Sequence, residues 1–250
     1  MRFRVNFFAP FVALAALALA GGVSAQAQSS STQAGPSPTT TTNGTYVVVD
    51  PLAKVTYDNR FDISLGFAYD HMKAGPTLLQ GANLGGLDLE GSYWLSKHWG
   101  VEGNVRAYAG TSGAGINSAN TNGGNIKGPF VAQYMLLAGP EWLGPHNKHG
   151  ALIAHFLAGG TYGDFGRDLG HPTPVDPNPF QAVDFYNTQI APAAVIGGHL
   201  DLNRSARWVF RITTDAVMTH YSINYPPKNS QFDVNYAMSV GIEYKFKKKR

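Results

Sequence analysis

Between Phe232 and Phe246 the chain alternates with unusual regularity. Val234, Tyr236, Met238, Val240, Ile242, Tyr244 and Phe246 take every second position, and Asp233, Asn235, Ser239, Glu243 and Lys245 take most of those between. Successive side chains of a strand point to opposite faces, so this stretch predicts a strand that is apolar on one side and polar on the other. The same pattern recurs upstream. It predicts strands at about 61–72, with Phe61, Ile63, Leu65, Phe67 and Tyr69 opposite Asp62, Ser64 and Asp70, and at about 84–95, with Leu87, Leu89 and Tyr93 opposite Asp88, Glu90 and Ser92. Further strands are predicted at about 99–110 (Val101 and Val105 against Glu102, Asn104 and Arg106), 130–143, 150–162 (Leu152 and Phe156 against His155 and Thr161), 188–201 and 207–221 (Trp208, Phe210 and Ile212 against Arg211 and Asp215). Two of these are irregular. In 130–143, Met135 and Leu137 share a face with Gln133 and Glu141, and 188–201 contains Pro192 and Gly197-Gly198, residues that weaken a strand.

The eight predicted strands are joined by connections of alternating length. Those near Ser96-Lys97, Gly144 to His149 and Asn203 to Ala206 are short, whereas 73–83, 111–129, 163–187 and 222–231 are long and rich in Gly, Pro and Asn. A transmembrane barrel sorts its turns this way when both termini lie in the periplasm. Trp99, Trp142 and Trp208 stand within a few residues of short turns, as do Phe61, Tyr244 and Phe246. They form one expected interface girdle, with Tyr69, Tyr162 and Tyr221 as the expected other.

The ends of the chain differ from this body. Arg2 and Arg4, the apolar run Phe7 to Ala20 and Ala25-Gln26-Ala27 give residues 1–27 the form of a secretory signal peptide. Residues 28–54 are mostly Ser, Thr, Gln, Pro and Gly and are expected to form a disordered tether, within which Tyr46 to Val49 is a possible short strand of no assigned role. The barrel domain is expected to span 55–246, with a basic tail at 247–250. The formal charge of +3 resides at these ends: without Arg2, Arg4, Lys247, Lys248, Lys249 and Arg250 it becomes −3. A nucleic-acid partner is therefore not expected, since it would need a basic face within the fold. The absence of cysteine means that an exported domain does without disulfides.

Together these features resemble the small eight-stranded outer-membrane barrels typified by the transmembrane domain of outer membrane protein A. The resemblance covers about 55–246, and its sharpest motif is Ser239-x-Gly241-x-x-Tyr244-x-Phe246, similar to the C-terminal signal read by the barrel-assembly machinery. In that family the final aromatic usually ends the chain, whereas Lys247 to Arg250 follow it here. The peptidoglycan-binding domain that follows the barrel in outer membrane protein A is not expected. The resemblance implies an all-β, eight-stranded, antiparallel up-and-down barrel in a Gram-negative-type outer membrane. It would be a monomer in contact with lipid and lipopolysaccharide, with both termini in the periplasm and no cofactor.

Eight strands leave an interior just wide enough for side chains to fill. The polar faces then bring Glu90, Glu102, Arg106, Glu141, Arg211, Asp215 and Glu243 into one lumen, with the two arginines as centres of ion pairs, and the expected function is structural or surface-interacting, with a filled polar lumen. Three other chemistries were weighed. His220-Tyr221-Ser222 resembles the His-x-Ser pair of eight-stranded lipid A deacylases and has outward parity, but Asp233, the nearest acid able to orient the histidine, has inward parity. His98, His146 and His149 fall in turns without a fixed carboxylate, so no metal site is expected there. Gly113-x-Gly115-x-x-Ser118 superficially resembles a phosphate loop but no helix follows it. A narrow porin-like channel is the remaining alternative.

Overall fold

The computed structural model describes residues 50–76, 81–112, 128–169, 180–181, 184–225 and 232–246. The expected signal peptide, most of the expected tether with Tyr46 to Val49, the loop containing Gly113 to Ser118 and the basic tail lie outside the described residues. Eight strands run in chain order as β1 (Phe61–Met72), β2 (Ala82–Trp94), β3 (Trp99–Thr111), β4 (Phe130–His146), β5 (Gly150–Asp164), β6 (Gln189–Asn203), β7 (Trp208–Thr219) and β8 (Asp233–Lys245). Each pairs antiparallel with its neighbours, and β8 pairs with β1 to close the barrel. The closing register sets Ile63 opposite Tyr244, Leu65 opposite Ile242 and Phe67 opposite Val240, so the C-terminal segment completes the sheet against the first strand, as the alternation predicts.

Closure leaves no strand edge unpaired and gives every strand an inner and an outer face. The parity seen in the sequence fixes which residues take which. In β1, Asp62, Ser64, Ala68, Asp70 and Met72 are buried inside, while Phe61, Ile63, Leu65, Phe67 and Tyr69 are exposed outside, Phe67 at 80 %. The three tight connections are 95–98, 147–149 and 204–207, and two of them repeat one device. Ser96 Oγ accepts from the backbone N–H groups of His98 and Trp99, and Ser205 Oγ does the same for Arg207 and Trp208. In the third, Asn147 Oδ1 accepts from His149 and Gly150.

β6 forms in full despite its Pro and Gly residues. Pro192 lies toward the loop end, where its carbonyl accepts the His220 N–H at 3.2 Å. β4 reaches His146 and so runs beyond its expected end, with a register irregularity between Leu143 and His146 where it meets β5. At the start of the described chain, Asp50 to Val55 form hydrogen-bonded turns, a departure from the disordered tether expected through residue 54.

The lumen is not uniformly polar, which corrects the expectation drawn from strand parity. Toward the long loops it holds an apolar cluster, in which Leu84, Tyr108, Met135, Leu137, Leu157, Val195 and Val217 pack with Phe165, Phe185, Tyr186 and Tyr221, beside buried Asp70, Gln133, Asp233 and Asn235. This explains the parity of β4, since Met135 and Leu137 face inward with Gln133 and Glu141 and belong to the apolar cluster. The half nearer the tight turns is polar and holds the charged side chains described next. A small apolar cluster of Leu143, Ala151 and Ile153, with Tyr57 and Trp94 against it, lies at the turn end.

Candidate site in the barrel lumen

Two arginines organise the polar half, each lying opposite an aspartate on the next strand. Arg211 on β7 pairs in register with Asp201 on β6, and Arg106 on β3 with Asp88 on β2. The Arg211 guanidinium donates through Nε and Nη2 to the two oxygens of Asp201 at 2.8 and 3.0 Å, and reaches Glu90 on β2 and Glu243 on β8, each at 3.0 Å. Such a fork suits the planar geometry of the group. Arg106 ion-pairs with Asp215 on β7 at 2.5 Å and Asp88 at 3.5 Å, and its Nε donates to Asn104 Oδ1 at 2.9 Å.

Glu102 on β3, His155 on β5 and His199 on β6 lie between these two centres. His155 Nδ1 is 2.8 Å from Glu102 Oε2 and 3.0 Å from His199 Nε2, and His199 Nε2 is 3.1 Å from the same Glu102 oxygen. His155 Nε2 meets Asp215 Oδ1 at 2.9 Å, and His199 Nδ1 meets Thr213 Oγ1 at 2.9 Å. The Thr213 hydroxyl donates to Glu90 at 3.3 Å, so one polar chain runs from Arg211 through Glu90, Thr213, the histidines and Asp215 to Arg106.

Glycine makes room for this filling. A Cβ on Gly197 would fall 1.9 Å from Asp215 Oδ1, its cross-strand partner, and one on Gly100 would fall 2.4 Å from Glu141 Oε1. Charge within the barrel is strongly unbalanced. Ten carboxylic acids are buried among the described residues (Asp62, Asp70, Asp88, Asp201, Asp215, Asp233, Glu90, Glu102, Glu141 and Glu243) against five basic side chains, Arg106, Arg211, Lys245 and the two histidines His155 and His199. At the turn-end mouth, the Tyr57 hydroxyl donates to Asn147 O at 3.0 Å and accepts from Asn203 at 2.7 Å, and Lys245 Nζ sits 4.4 Å from its ring centroid. Burial there pushes the Tyr57 phenol up to about 12.

All seven residues expected in the lumen network are buried there, but not around arginine alone. Glu90, Asp215 and Glu243 meet an arginine, Glu102 meets the two histidines, and Glu141 accepts from Ser92 Oγ at 3.0 Å. Asp88, His155, His199, Asp201 and Thr213 belong to the network and were missed. His155 has clear inward parity in the sequence, whereas His199 and Asp201 lie in the strand blurred by Pro192 and Gly197-Gly198. Of the assembly-signal residues, Ser239 faces inward and Tyr244 and Phe246 outward, their rings 5.0 Å apart; a Cβ on Gly241 would lie 2.4 Å from Leu65 O.

The outer aromatics gather at two levels. Phe61 with Tyr93, Trp99 with its register partner Trp142, and Trp208 with Tyr244 surround the turn end. Tyr69, Tyr134, Tyr162 and Tyr236 stand exposed toward the loop end, with Tyr134 stacked on Tyr162. Tyr221 is not among them, contrary to expectation. Its ring points into the barrel, 5.1 Å from that of Phe165, and its hydroxyl meets Gln133 and Thr161 at 3.1 and 2.8 Å. Tyr221 continues the inward parity of Arg211, Asp215 and Thr219, and the buried phenol finds the partners it needs there.

The other candidate chemistries are placed as follows. Ser222 donates its hydroxyl to Gln189 Oε1 at 2.9 Å, and Asp233 is engaged by Lys73 and by the Tyr186 hydroxyl. His98 and His146 turn their Nδ1 atoms to the carbonyls of Leu143 and Gly144. Among the described residues, the one group whose donor atoms converge closely enough to hold a metal ion is Glu102, His155 and His199.

No family model and no curated protein sequence matches this chain. Solved structures do. The attachment invasion locus protein Ail of Yersinia pestis is 18 % identical, with 75 % of this chain and 99 % of that one aligned at a TM-score of 0.41. OprG of Pseudomonas aeruginosa is 14 % identical over 77 % and 98 % at 0.44, and outer membrane protein W of E. coli is 14 % identical over 75 % and 98 % at 0.36. In fold the chain is similar to these small outer-membrane β-barrels.

Proposed function

We propose that this protein is an integral outer-membrane barrel, non-enzymatic and monomeric, whose filled lumen is a structural core and whose long loops face the cell exterior to meet lipopolysaccharide or other surfaces. In this reading the barrel-assembly machinery inserts it, and both termini stay in the periplasm. One observation carries the proposal. Between the two aromatic levels the outward strand positions are apolar or small, with Thr214 as the one polar exception, and none bears a charge, while the strands' buried charges point inward. From Phe61 to Tyr69 this outward band covers nine residues, at the lower end of the about 9–11 that a tilted strand uses to cross the hydrocarbon. An apolar belt of that extent would aggregate in water, and in lipid only a closed sheet satisfies its backbone.

The lumen contacts support a plug rather than a pore. Arg211 on β7 reaches Glu90 on β2, and Ser92 on β2 reaches Glu141 on β4, so side chains span the interior at several levels. The hydrolase reading loses support because the Ser222 hydroxyl is committed to Gln189. Expression of the whole chain should place it in the outer-membrane fraction, where the unboiled protein migrates faster on a gel than the boiled form. In planar bilayers it should give no regular conductance steps. Recovery as a soluble species, or stable unitary currents, would overturn the proposal.

A further inference from the structure

The meeting point of Glu102, His155 and His199 is unusual in the polarity of the atoms that face one another. His155 has a carboxylate at each nitrogen, Asp215 at Nε2 and Glu102 at Nδ1; a neutral ring with its hydrogen on Nε2 presents the Nδ1 lone pair toward Glu102 and His199. Thr213 directs its own hydroxyl hydrogen at Glu90, so toward His199 it can only accept; Nδ1 of His199 then carries the hydrogen and Nε2 presents a lone pair. The third atom is Glu102 Oε2. Three acceptor atoms therefore converge at 2.8, 3.0 and 3.1 Å from one another, in a barrel already burdened with excess carboxylate. Lone pairs at that spacing repel unless a proton or a metal cation lies among them, and the convergence of three donor atoms is what a metal ion uses.

We propose that Glu102, His155 and His199 bind a divalent transition-metal cation of the zinc class inside the barrel. Two imidazole nitrogens and one carboxylate oxygen are a donor set that such ions favour. Tetrahedral ligands held at about 2.0–2.1 Å from one ion stand about 3.3–3.4 Å apart, so the three atoms, at 2.8, 3.0 and 3.1 Å, need to part by only a few tenths of an ångström to take one. Each histidine is oriented by a partner on its far nitrogen, Asp215 for one and Thr213 for the other, which is the arrangement that fixes tautomer and ring direction in metal sites. The three ligands come from β3, β5 and β6, so an ion among them ties together strands that are not all neighbours. All three are buried, and the ion would enter as the barrel folds.

The test is refolding of the full-length mature protein from denaturant into detergent, with Zn²⁺ present, followed by removal of loose metal with chelator and measurement of zinc per folded barrel. One zinc ion per barrel is expected. His199→Gln and Glu102→Gln should lower retention by at least about tenfold, and Thr213→Val, which leaves all three ligands in place, should weaken affinity by about 10- to 100-fold. The triple variant His98→Ala/His146→Ala/His149→Ala, which alters only turn histidines, should retain the ion. Folding with Co²⁺ gives an independent reading on the wild-type barrel: a ligand-field absorption band of nitrogen and oxygen coordination. Folded wild-type barrel without zinc and without the cobalt band would mean that a proton alone bridges the histidines and Glu102, and would overturn the proposal. Loss of zinc in the turn-histidine variant would overturn it equally, as would full retention in both ligand variants. Because the wild-type arm needs no substitution, a ligand variant that fails to fold leaves the proposal still decided.

Discussion

Arg211 shows how much of the barrel rests on single side chains. It serves Asp201, Glu90 and Glu243, and none of the three has another arginine within reach among the described ion pairs. Replacing it leaves three buried carboxylates facing one another, and breaking a buried pair by removing one partner costs about 3–5 kcal/mol. Arg211→Ala should lower the temperature at which the folded form converts to the slower-migrating form on a gel, whereas Arg211→Lys, a point charge without the fork, should fall between. An unchanged transition would remove the network from the list of what stabilises the fold. At this scale the sequence was legible wherever parity was clean. Asp62, Glu90, Glu102, Arg106 and Arg211 sit in strands whose alternation leaves one answer for which way they point. It failed for His199 and Asp201, since Pro192 and two glycines remove the apolar positions that would have fixed the faces of β6. Tyr221 fails for another reason: its nearness to a strand end suggests the outer girdle, although the parity of β7 that sends Arg211, Asp215 and Thr219 inward sends Tyr221 inward as well.

Among the elements, β6 is the instructive case because its weakness as an isolated strand reflects what it must accommodate. Gly197 lies opposite Asp215, and the space a side chain would occupy is filled by the carboxylate that both Arg106 and His155 use. Gly197→Ala would place its methyl group against Asp215 Oδ1 and 2.4 Å from the Thr214 carbonyl, so either the carboxylate or the strand must move. Overpacking of this kind costs about 1–3 kcal/mol. The comparison is Gly85→Ala on β2, where the new methyl meets nothing within 4 Å and the expected change is within about 0.5 kcal/mol. Denaturant midpoints of the two variants, measured on the folded barrel, should differ in that order; equal midpoints would show that β6 does not need its glycine. Sequence reading treats a glycine pair as a reason to doubt a strand, since the pattern records the missing side chain but not the neighbour that fills its place. The mixed parity of β4 has a similar origin. Met135 and Leu137 face inward into an apolar cluster, and a two-face alternation does not say whether an inward position meets apolar or polar neighbours.

For the whole molecule, what matters is that the sheet closes and that the closure is carried by the first and last strands. The alternation in Phe232 to Phe246 and in Phe61 to Met72 predicts both strands, and their pairing follows because a lipid-facing sheet cannot leave an edge open. The layering of the lumen could not be inferred this way, since it depends on which residues from eight strands share a level. Closure can be tested directly, because the chain has no cysteine of its own to interfere. Leu65 and Ile242 are register partners on the outer face of β1 and β8. Directly opposed residues of an antiparallel pair have Cα atoms about 4.5–5.5 Å apart, inside the range a disulfide spans. Leu65→Cys with Ile242→Cys should therefore oxidise within one molecule, so that the boiled, unreduced chain runs as a closed loop ahead of its reduced form. The bond joins the two ends of nearly the whole barrel, and a loop that long should raise the unfolding free energy by up to about 5 kcal/mol in the chain-entropy account. Leu65→Cys with Leu152→Cys, whose second site lies on β5, should remain reduced or form only intermolecular dimers. If the control pair bridges within one molecule as readily as the seam pair, then β1 does not meet β8, and with that seam the apolar belt, the enclosed ion network and the metal site would all lose their basis.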